Sequence, residues 1–264
     1  MQSMEEAGPG AYAWDNGWVE ARRRLELLEQ CFDPATHETL GSIGVQPGWR
    51  CLEVGGGAGS IARWLCEAVG PTGSVVTIDL DTRFLRQIDA PNLEVIEADM
   101  VTDGLPPGPF DLIHSRAVLM HIPARDRLLS ELVDRLRPGG VMALEECDFH
   151  SYGAAESPLY QKFNLHFARI LEVEAGMSGT WARGLPARLT ALGLTAVGCR
   201  ATTRIYAGRS PDAEFFRITY LQARDLLLAN GVTKEAFDSF LELFEDDTQW
   251  FPAPAVIAAI GRRP

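Results

Sequence analysis

The sequence has 264 residues, 46% hydrophobic and 23% charged, as expected for a globular protein with a sizeable core. Its 24 lysines and arginines are outnumbered by 36 aspartates and glutamates, so the formal charge is −12. Such an acidic surface repels phosphate backbones, which argues against a nucleic-acid partner. No apolar run reaches the length of a membrane span, and the first ten residues lack signal-peptide features.

The cysteines are odd in number and scattered along the chain, at positions 31, 51, 66, 147 and 199. None of them forms a C-x-x-C pair. This pattern favours reduced thiols over a disulfide framework or a zinc site. It indicates a cytoplasmic protein.

In chain order, the first half alternates helices and strands. Residues 12–44 are predicted to form two helices, and WRCLEV (49–54) the first strand. Apolar spacing predicts a helix over 60–69, with Ser60 as its N-cap and Gly70-Pro71 after it. Further strands are predicted at 74–79, 93–98, 110–115 and 141–146, with a short helix over 82–88 and a longer one over 125–137.

The second half begins with a longer helical excursion over 147–190, followed by a strand over 194–207. Two helices, 212–230 and 234–244, precede a last strand at 255–263. Buried strands separated by helices indicate a doubly wound α/β domain, which binds ligands at the carboxyl ends of its strands. A single domain over 1–264 is predicted, divided into an N-terminal helical lid (1–47), a ligand-binding core (48–148), a cap (149–190), and a C-terminal half (191–264) with a helical insertion at 211–246.

A glycine-rich turn follows the first strand in CLEVGGGAGSIARWL (51–65). A dinucleotide-binding turn has the pattern G-x-G-x-x-G, but Ser60 stands where its third glycine belongs. Glu53 would also repel a pyrophosphate, whereas it suits a cationic group such as an ammonium. A phosphate-binding Walker loop is excluded because no G-K-[ST] follows.

The segment Glu53 to Gly59, EVGGGAG, resembles motif I, [D/E]-x-G-x-G-x-G, of the class I S-adenosylmethionine-dependent methyltransferases. Other features follow in the family's order: Asp79 at the end of the second strand, EADM (97–100), PGPFDLIHSRAVLMHIP and LRPGGVMALEE. The resemblance covers residues 12–264, most closely 48–148, and points to the bacterial small-molecule branch with natural-product and ubiquinone-type enzymes. It implies a seven-stranded, mostly parallel sheet whose last strand is antiparallel, with N-terminal helices and a helical cap.

The resemblance also implies a site for S-adenosylmethionine, with S-adenosylhomocysteine as product. Asp79 corresponds to the acid on the ribose hydroxyls and Asp99 to the contact of the adenine amino group, although alone they could be a helix cap and a turn residue. Arg116 could meet the cofactor carboxylate, an anionic acceptor or a surface acid, while Tyr12 and Trp14 precede a lid helix. The expected cofactor residues are Tyr12, Glu53, Gly55, Gly57, Gly59, Asp79, Leu80, Asp99, Met100, Ser115 and Arg116.

Methyl transfer from a sulfonium requires chiefly alignment of a nucleophile, and a base only when the acceptor is protonated. His150 and His121 follow strands at the carboxyl edge and are the predicted candidates for that base. His114 is expected to be a core residue and His37 a solvated one, while His166 lies on the predicted cap helix and could equally be at the surface. No cysteine is expected to be catalytic, and no metal is indicated.

Aromatic residues of the helical additions are expected to line an acceptor pocket or to form core: Tyr160, Phe163, Phe167, Trp181, Phe215, Phe216 and Tyr220. The expected activity is methyl transfer to O, N or C of a small, hydrophobic or aromatic metabolite, by a monomer or homodimer. A non-methylating descendant, such as a cyclase or binding protein that keeps the cofactor, remains an alternative. A nicotinamide oxidoreductase is opposed by Glu53 and the missing glycine.

Overall fold

The computed structural model describes residues 16–264, and nine strands form two sheets within them. The strands are β1 Arg50–Val54, β2 Ser74–Asp79, β3 Leu93–Glu97, β4 Phe110–Arg116, β5 Leu136–Asp148, β6 Thr195–Thr202, β7 Ile205–Ala207, β8 Trp250–Pro252 and β9 Ala255–Arg262. Seven strands form the main sheet in the order β3-β2-β1-β4-β5-β9-β6, and β9 runs antiparallel to both of its neighbours. The predicted doubly wound sheet with an antiparallel last strand is confirmed.

Eight α-helices accompany the sheets in this part of the chain: α1 Ala21–Ile43, α2 Ser60–Val69, α3 Arg125–Asp134, α4 Pro158–Ala175, α5 Leu185–Ala191, α6 Pro211–Gln222, α7 Arg224–Ala229 and α8 Lys234–Glu242. The prediction of two N-terminal helices is wrong for the described residues, because α1 continues through Pro34 to the left-handed Gly44. Its residues after the proline are held by burial of Thr36, Thr39 and Leu40 against the sheet. Within residues 16–264, no helix combines the length and apolarity needed to cross a membrane.

Three other local predictions differ from the structure. Ser60 is the first residue of α2 rather than its N-cap, which is the left-handed Gly59. The predicted helix over 82–88 contracts to a 3-10 turn at Leu85–Gln87. The predicted strand over 194–207 divides, since its last part leaves the main sheet and pairs, as β7, with β8.

Helices cover both faces of the main sheet. Because side chains alternate along a strand, each strand contributes residues to both faces. Leu52, Ile113 and Met142 point to the face covered by α3 and α5. Cys51 and Leu112, on the opposite face, pack against α1 and α2. Two buried faces explain why these strands are near-continuous apolar runs.

A third apolar core lies above the carboxyl ends of the strands and forms the cap, which consists of α4, α6, α7, α8 and the small sheet of β7 and β8. Stacked and edge-on aromatic rings dominate it: Phe163 and Phe240 are 3.7 Å apart between ring centroids, and Tyr160 and Phe251 are 4.7 Å apart. α5, within the predicted cap segment 149–190, instead packs on the main sheet. The cap therefore includes α4, which follows β5, and the elements that lie between β6 and β9.

Candidate active site

A cavity of about 510 Å³ opens at the carboxyl ends of β1, β2, β4 and β5, beneath α1 and the cap. This is the edge where open α/β sheets bind ligands. Acids and glycines of the sheet line one end, and aromatic cap residues line the other. The residues that line it include Arg24, Glu29, Glu53, Gly55, Gly57, Asp79, Leu80, Asp99, Met100, Arg116, His121, Glu145, Cys147, Phe149, Tyr152, Phe167, Phe215, Phe216 and Tyr220.

The glycine turn between β1 and α2 forms the floor of the acidic end. Gly55, Gly57 and Gly59 all have left-handed backbone, with φ values of 74°, 56° and 93°. Side chains would strain this conformation, and a Cβ on Gly55 would come within 2.2 Å of Val118 Cγ2. The turn therefore needs glycine at Gly55 for both its backbone angle and its packing. Gly59 caps α2 but does not line the cavity.

Three carboxylates lie at the ends of three adjacent strands: Glu53 in β1, Asp79 in β2 and Asp99 just after β3. Asp79, the last residue of β2, accepts hydrogen bonds from the backbone N–H groups of Gly57 (3.0 Å) and Asp81 (3.2 Å). Burial raises the pKa of the Asp79 carboxyl, although these hydrogen bonds oppose the shift. Asp99, just after β3, accepts from the N–H of Val101 at 2.8 Å.

Two apolar side chains adjoin these acids. Leu80 is half exposed, whereas Met100 is buried, and both line the cavity. Glu53, at the end of β1, also lines it and is 3% exposed. The structure thus places Glu53, Asp79 and Asp99 along the lining of one cavity.

Arg116 and Ser115 occupy different environments at the end of β4. Arg116 lines the cavity but forms an ion pair with Asp33 of α1 at 2.8 Å and donates to Thr36 Oγ1 at 3.0 Å. Of the three partners expected for Arg116, the structure shows an acidic side chain, that of Asp33 in α1. Ser115 is fully buried, is not among the residues that line the cavity, and its hydroxyl has no partner among the described residues. Tyr12 and Trp14 lie outside the described residues.

The two predicted bases lie in different places. His121 lines the cavity. Burial lowers its pKa to about 4, assisted by the positive charges of Arg24 and Arg125, so the imidazole is neutral at neutral pH. His150 does not line the cavity; its side chain is 56% exposed and bonds Asp148 at 2.7 Å. The structure therefore brings only His121 to the cavity.

The loop that carries His121 is fixed by Glu146, a buried residue of β5 that the sequence prediction overlooked. Its carboxylate accepts hydrogen bonds from the backbone N–H groups of Val118 (3.3 Å), Leu119 (2.9 Å) and Met120 (3.2 Å). Burial raises the pKa of Glu146 to about 7, although these three hydrogen bonds oppose the shift. The sequence signal was present, since an acid within a strand otherwise buried on both faces requires a specific partner.

This pKa predicts a pH dependence of stability. The unfolded Glu146 ionises near pH 4.5, whereas the folded one holds its proton to about 7, so the free energy of unfolding falls as pH rises between these values. The Glu146 contribution to that fall is up to about 3.5 kcal/mol, at about 1.4 kcal/mol per pKa unit. Urea unfolding at pH 5 and pH 7 should show a shallower decline in Glu146→Gln than in the parent protein. An equal decline in both would contradict this assignment.

α1 also holds the start of α2, the helix that follows the glycine turn. Glu29 accepts a hydrogen bond from the N–H of Ser60 at 3.0 Å, and Asp33 accepts one from its hydroxyl at 3.1 Å. Glu29 thus accepts a backbone N–H at the start of α2, which is the role that the Ser60 side chain was predicted to have as a cap. The favourable position of both carboxylates reflects the positive end of the α2 helix dipole.

The aromatic end of the cavity is lined by Phe149, Tyr152, Phe167, Phe215, Phe216 and Tyr220. Phe167, Phe215, Phe216 and Tyr220 are among the predicted acceptor aromatics. Tyr160 and Phe163 instead form the interior of the cap, and Trp181 packs against the main sheet. Helical spacing in the sequence could not separate these groups, because it does not show which face meets a cavity.

Neither thiol chemistry nor a metal is apparent in this part of the chain. Burial raises the pKa of the Cys147 thiol, the one that lines the cavity, to about 12, so it is protonated. Residues 16–264 contain no group of three or more His, Cys, Asp or Glu side chains placed to hold a metal ion. The carboxylate of Asp148 contacts the side chains of Arg183 at 2.6 Å and His150 at 2.7 Å.

Comparisons with known proteins agree with this geometry. The methyltransferase domain family model matches residues 52–144. The ubiquinone/menaquinone biosynthesis C-methyltransferase of Laribacter hongkongensis is 31% identical over 134 residues, 48% of this chain and 54% of that protein. Its counterpart in Ectopseudomonas mendocina is 31% identical over 116 residues, 41% of this chain and 45% of that protein. The chain thus spans about half the length of the curated relatives it matches.

Solved structures share the fold. Phosphoethanolamine N-methyltransferase 2 of Haemonchus contortus, in complex with phosphomonomethylethanolamine and S-adenosylhomocysteine, has a TM-score of 0.60 at 17% identity, over 96% of this chain and 60% of that one. YcgJ of Bacillus subtilis has a TM-score of 0.55 at 18% identity, over 86% and 98% of the two chains. The matched domain and the glycine turn make residues 52–144 similar to the methyltransferase domain family, and the order of the sheet gives the chain the fold of the solved methyltransferases.

Proposed function

We propose that the protein binds S-adenosylmethionine and transfers its methyl group to O, N or C of a small, hydrophobic or aromatic metabolite. The observation that carries this proposal is that one cavity joins the acid-bearing glycine turn to the aromatic cap. Methyl transfer requires the acceptor and the sulfonium in one water-excluding space, with the nucleophile in line with the methyl–sulfur bond. A cavity with two chemically different ends supplies both binding sites.

The acidic end suits the cofactor. S-adenosylmethionine carries a sulfonium and an ammonium against one carboxylate, so it is a net cation, and Glu53 offers its carboxylate at the glycine turn. Asp79 would bind the ribose hydroxyls, in line with the general rule for acids at this position. Leu80 and Met100 would enclose the adenine, with Asp99 beside its amino group.

The other end suits an apolar acceptor. Aromatic rings provide a large contact area and offset stacking for a planar molecule, and His121 is the neutral polar group beside them. An acceptor of quinone or natural-product type fits such a chamber, and the curated relatives are named for ubiquinone and menaquinone biosynthesis. The net charge of −12 argues against nucleic-acid acceptors. A cytoplasmic location is part of the proposal, supported by five free cysteines.

Calorimetric titration with S-adenosylhomocysteine, S-adenosylmethionine and NADH tests the cofactor, together with the variant Asp79→Ala. We expect both adenosyl compounds to bind and NADH not to bind. Loss of two charge-assisted hydrogen bonds to the ribose should weaken binding by on the order of 10²–10⁴-fold in Asp79→Ala. Asp89→Ala is the matched control, because Asp89 is exposed, follows the same strand and does not line the cavity.

Binding of NADH alone would contradict the cofactor assignment. Equal affinity of Asp79→Ala and Asp89→Ala for the adenosyl compounds would also contradict it. If the adenosyl compounds bind, phenolic, quinol and amine acceptors are then screened for release of S-adenosylhomocysteine. Cofactor binding without methyl transfer to any of them would favour a non-methylating descendant over an enzyme of this class.

A further inference from the structure

Three ionisable residues form a buried row beneath the glycine turn. His114 of β4 lies between Glu53 of β1 and Glu145 of β5, with its Nδ1 2.6 Å from Glu53 Oε2 and its Nε2 3.3 Å from Glu145 Oε2. The side chains of His114, Glu53 and Glu145 are 0%, 3% and 2% exposed. All three point to the face of the sheet that α1 and α2 cover, since Glu53 lies beside His114 and Glu145 lies two residues beyond the neighbour of His114.

α1 holds the far end of this row. Thr36 Oγ1 donates to Glu145 Oε2 at 2.5 Å, and Thr39 Oγ1 donates to Glu145 Oε1 at 3.0 Å. The spacing of three residues places both hydroxyls on one face of the helix. Neither threonine lines the main cavity. The N-terminal helix is therefore joined to Glu53 through Glu145 and His114.

The charges explain why the row can be buried. Burial alone would lower the pKa of His114, but the two carboxylates outweigh it and raise the pKa to about 9. His114 is therefore an imidazolium at neutral pH, and its ring donates to both neighbours. Its proximity in turn lowers the pKa of Glu145 to about 2 against the effect of burial. Two carboxylates and one imidazolium leave a net charge of −1.

Glu53 and Glu145 both line the cavity, and Glu53 is the member of the row at the glycine turn. One of its oxygens, Oε2, is engaged by His114, whereas Oε1 has no hydrogen bond to any described residue and is not sealed from the cavity. A carboxylate with one oxygen fixed and the other available has a defined direction. That direction is set by His114, which does not itself line the cavity.

We propose that His114 is a positioning residue that fixes the Glu53 carboxylate towards the cationic part of the bound cofactor, and that Glu145, Thr36 and Thr39 couple this carboxylate to the N-terminal helix. This inference rests on the proposed binding of S-adenosylmethionine. No proton or bond is transferred within the row. Its effect is on affinity: an oriented carboxylate binds the cation without first losing conformational freedom. The row should therefore act on cofactor binding rather than on the methyl-transfer step.

The variant His114→Asn tests this, because asparagine retains one donor and loses the positive charge and the second donor. We expect the Kd of S-adenosylhomocysteine and the KM of S-adenosylmethionine to rise by about tenfold or more, equivalent to about 1.4 kcal/mol. At saturating cofactor, kcat should stay within about threefold, the pattern of lost uniform binding. His37→Asn is the control, since His37 lies on α1, stacks on Trp64 and does not line the cavity.

A second pair of variants applies if His114→Asn does not fold. Thr39→Val removes one donor to Glu145 without changing the cavity lining, and Thr39→Ser keeps it. Cofactor affinity should fall about threefold or more in the valine variant and return in the serine variant. Affinities equal to the parent protein in His114→Asn or Thr39→Val, with only a lower melting temperature, would overturn the proposal. If the parent protein itself binds no S-adenosylhomocysteine, the proposed function fails instead.

Discussion

Replacement of His121 with alanine is expected to lower kcat by about 10²–10⁴-fold, the usual contribution of a positioned base. The Kd of S-adenosylhomocysteine should change by less than about threefold, because the role proposed for His121 is towards the acceptor rather than the cofactor. His150→Ala is the matched control and should retain normal turnover, because His150 lies outside the cavity. An unchanged kcat in His121→Ala would show that the acceptor needs no base there.

A low pKa is compatible with this role. The positive charges of Arg24 and Arg125, together with burial, keep the imidazole of His121 neutral, so it does not repel the incoming sulfonium. As the methyl group bonds to a hydroxyl oxygen, the resulting oxonium is a strong acid, and even a base of pKa about 4 then takes its proton. Turnover limited by this base should therefore persist on acidification to about pH 5 and fall towards pH 4. A loss near pH 6.5 would indicate an ordinary histidine.

The core of the fold could be predicted because its signals are local. β1, β2, β3 and β4 are short apolar runs bounded by turn residues, and the acids that follow them are adjacent in the sequence to strands that end at one edge. Glu53, Asp79 and Asp99 could thus be placed at the cavity without knowledge of the strand register. The glycine turn needed only the chemistry of its neighbours to exclude pyrophosphate.

The buried row of Glu53, His114 and Glu145 could not be predicted in the same way. It depends on which residues of β1, β4 and β5 lie side by side, and that register is a tertiary property. Period-2 alternation was available and would have placed His114 on one face with Leu112, as part of an apolar surface. Only the neighbouring strands show that two acids adjoin it.

The cap was the least predictable part for a different reason. Its aromatic residues alternate between interior and cavity according to how α4, α6 and α8 pack on one another. Phe163 and Phe167 are one helical turn apart, yet Phe167 reaches the cavity and Phe163 stacks on Phe240. Composition and helical spacing are the same for both, so only the packing distinguishes an acceptor contact from a core residue.

Gly55→Ala should damage both stability and turnover, because Gly55 supports the loop that carries His121. Its φ of 74° costs alanine about 1–2 kcal/mol, and a Cβ would overlap Val118 Cγ2, for which overpacking typically adds about 1–3 kcal/mol. Val118 is three residues before His121, so its displacement should lower kcat by on the order of tenfold or more. Urea unfolding and steady-state kinetics measure the two effects.

Gly48→Ala separates backbone strain from overlap. Gly48 has a φ of 86°, but the nearest atom to its Cβ is Thr72 Oγ1 at 3.6 Å, so this variant should lose only the backbone contribution, about 1–2 kcal/mol. The double variant Gly55→Ala, Val118→Ala lacks the γ-methyl groups of Val118 that the new Cβ would overlap. Its loss of stability should therefore be smaller than the sum of the losses in Gly55→Ala and Val118→Ala alone. Additive losses would mean that Val118 yields freely, and that the His121 loop is held by Glu146 without help from the glycine turn.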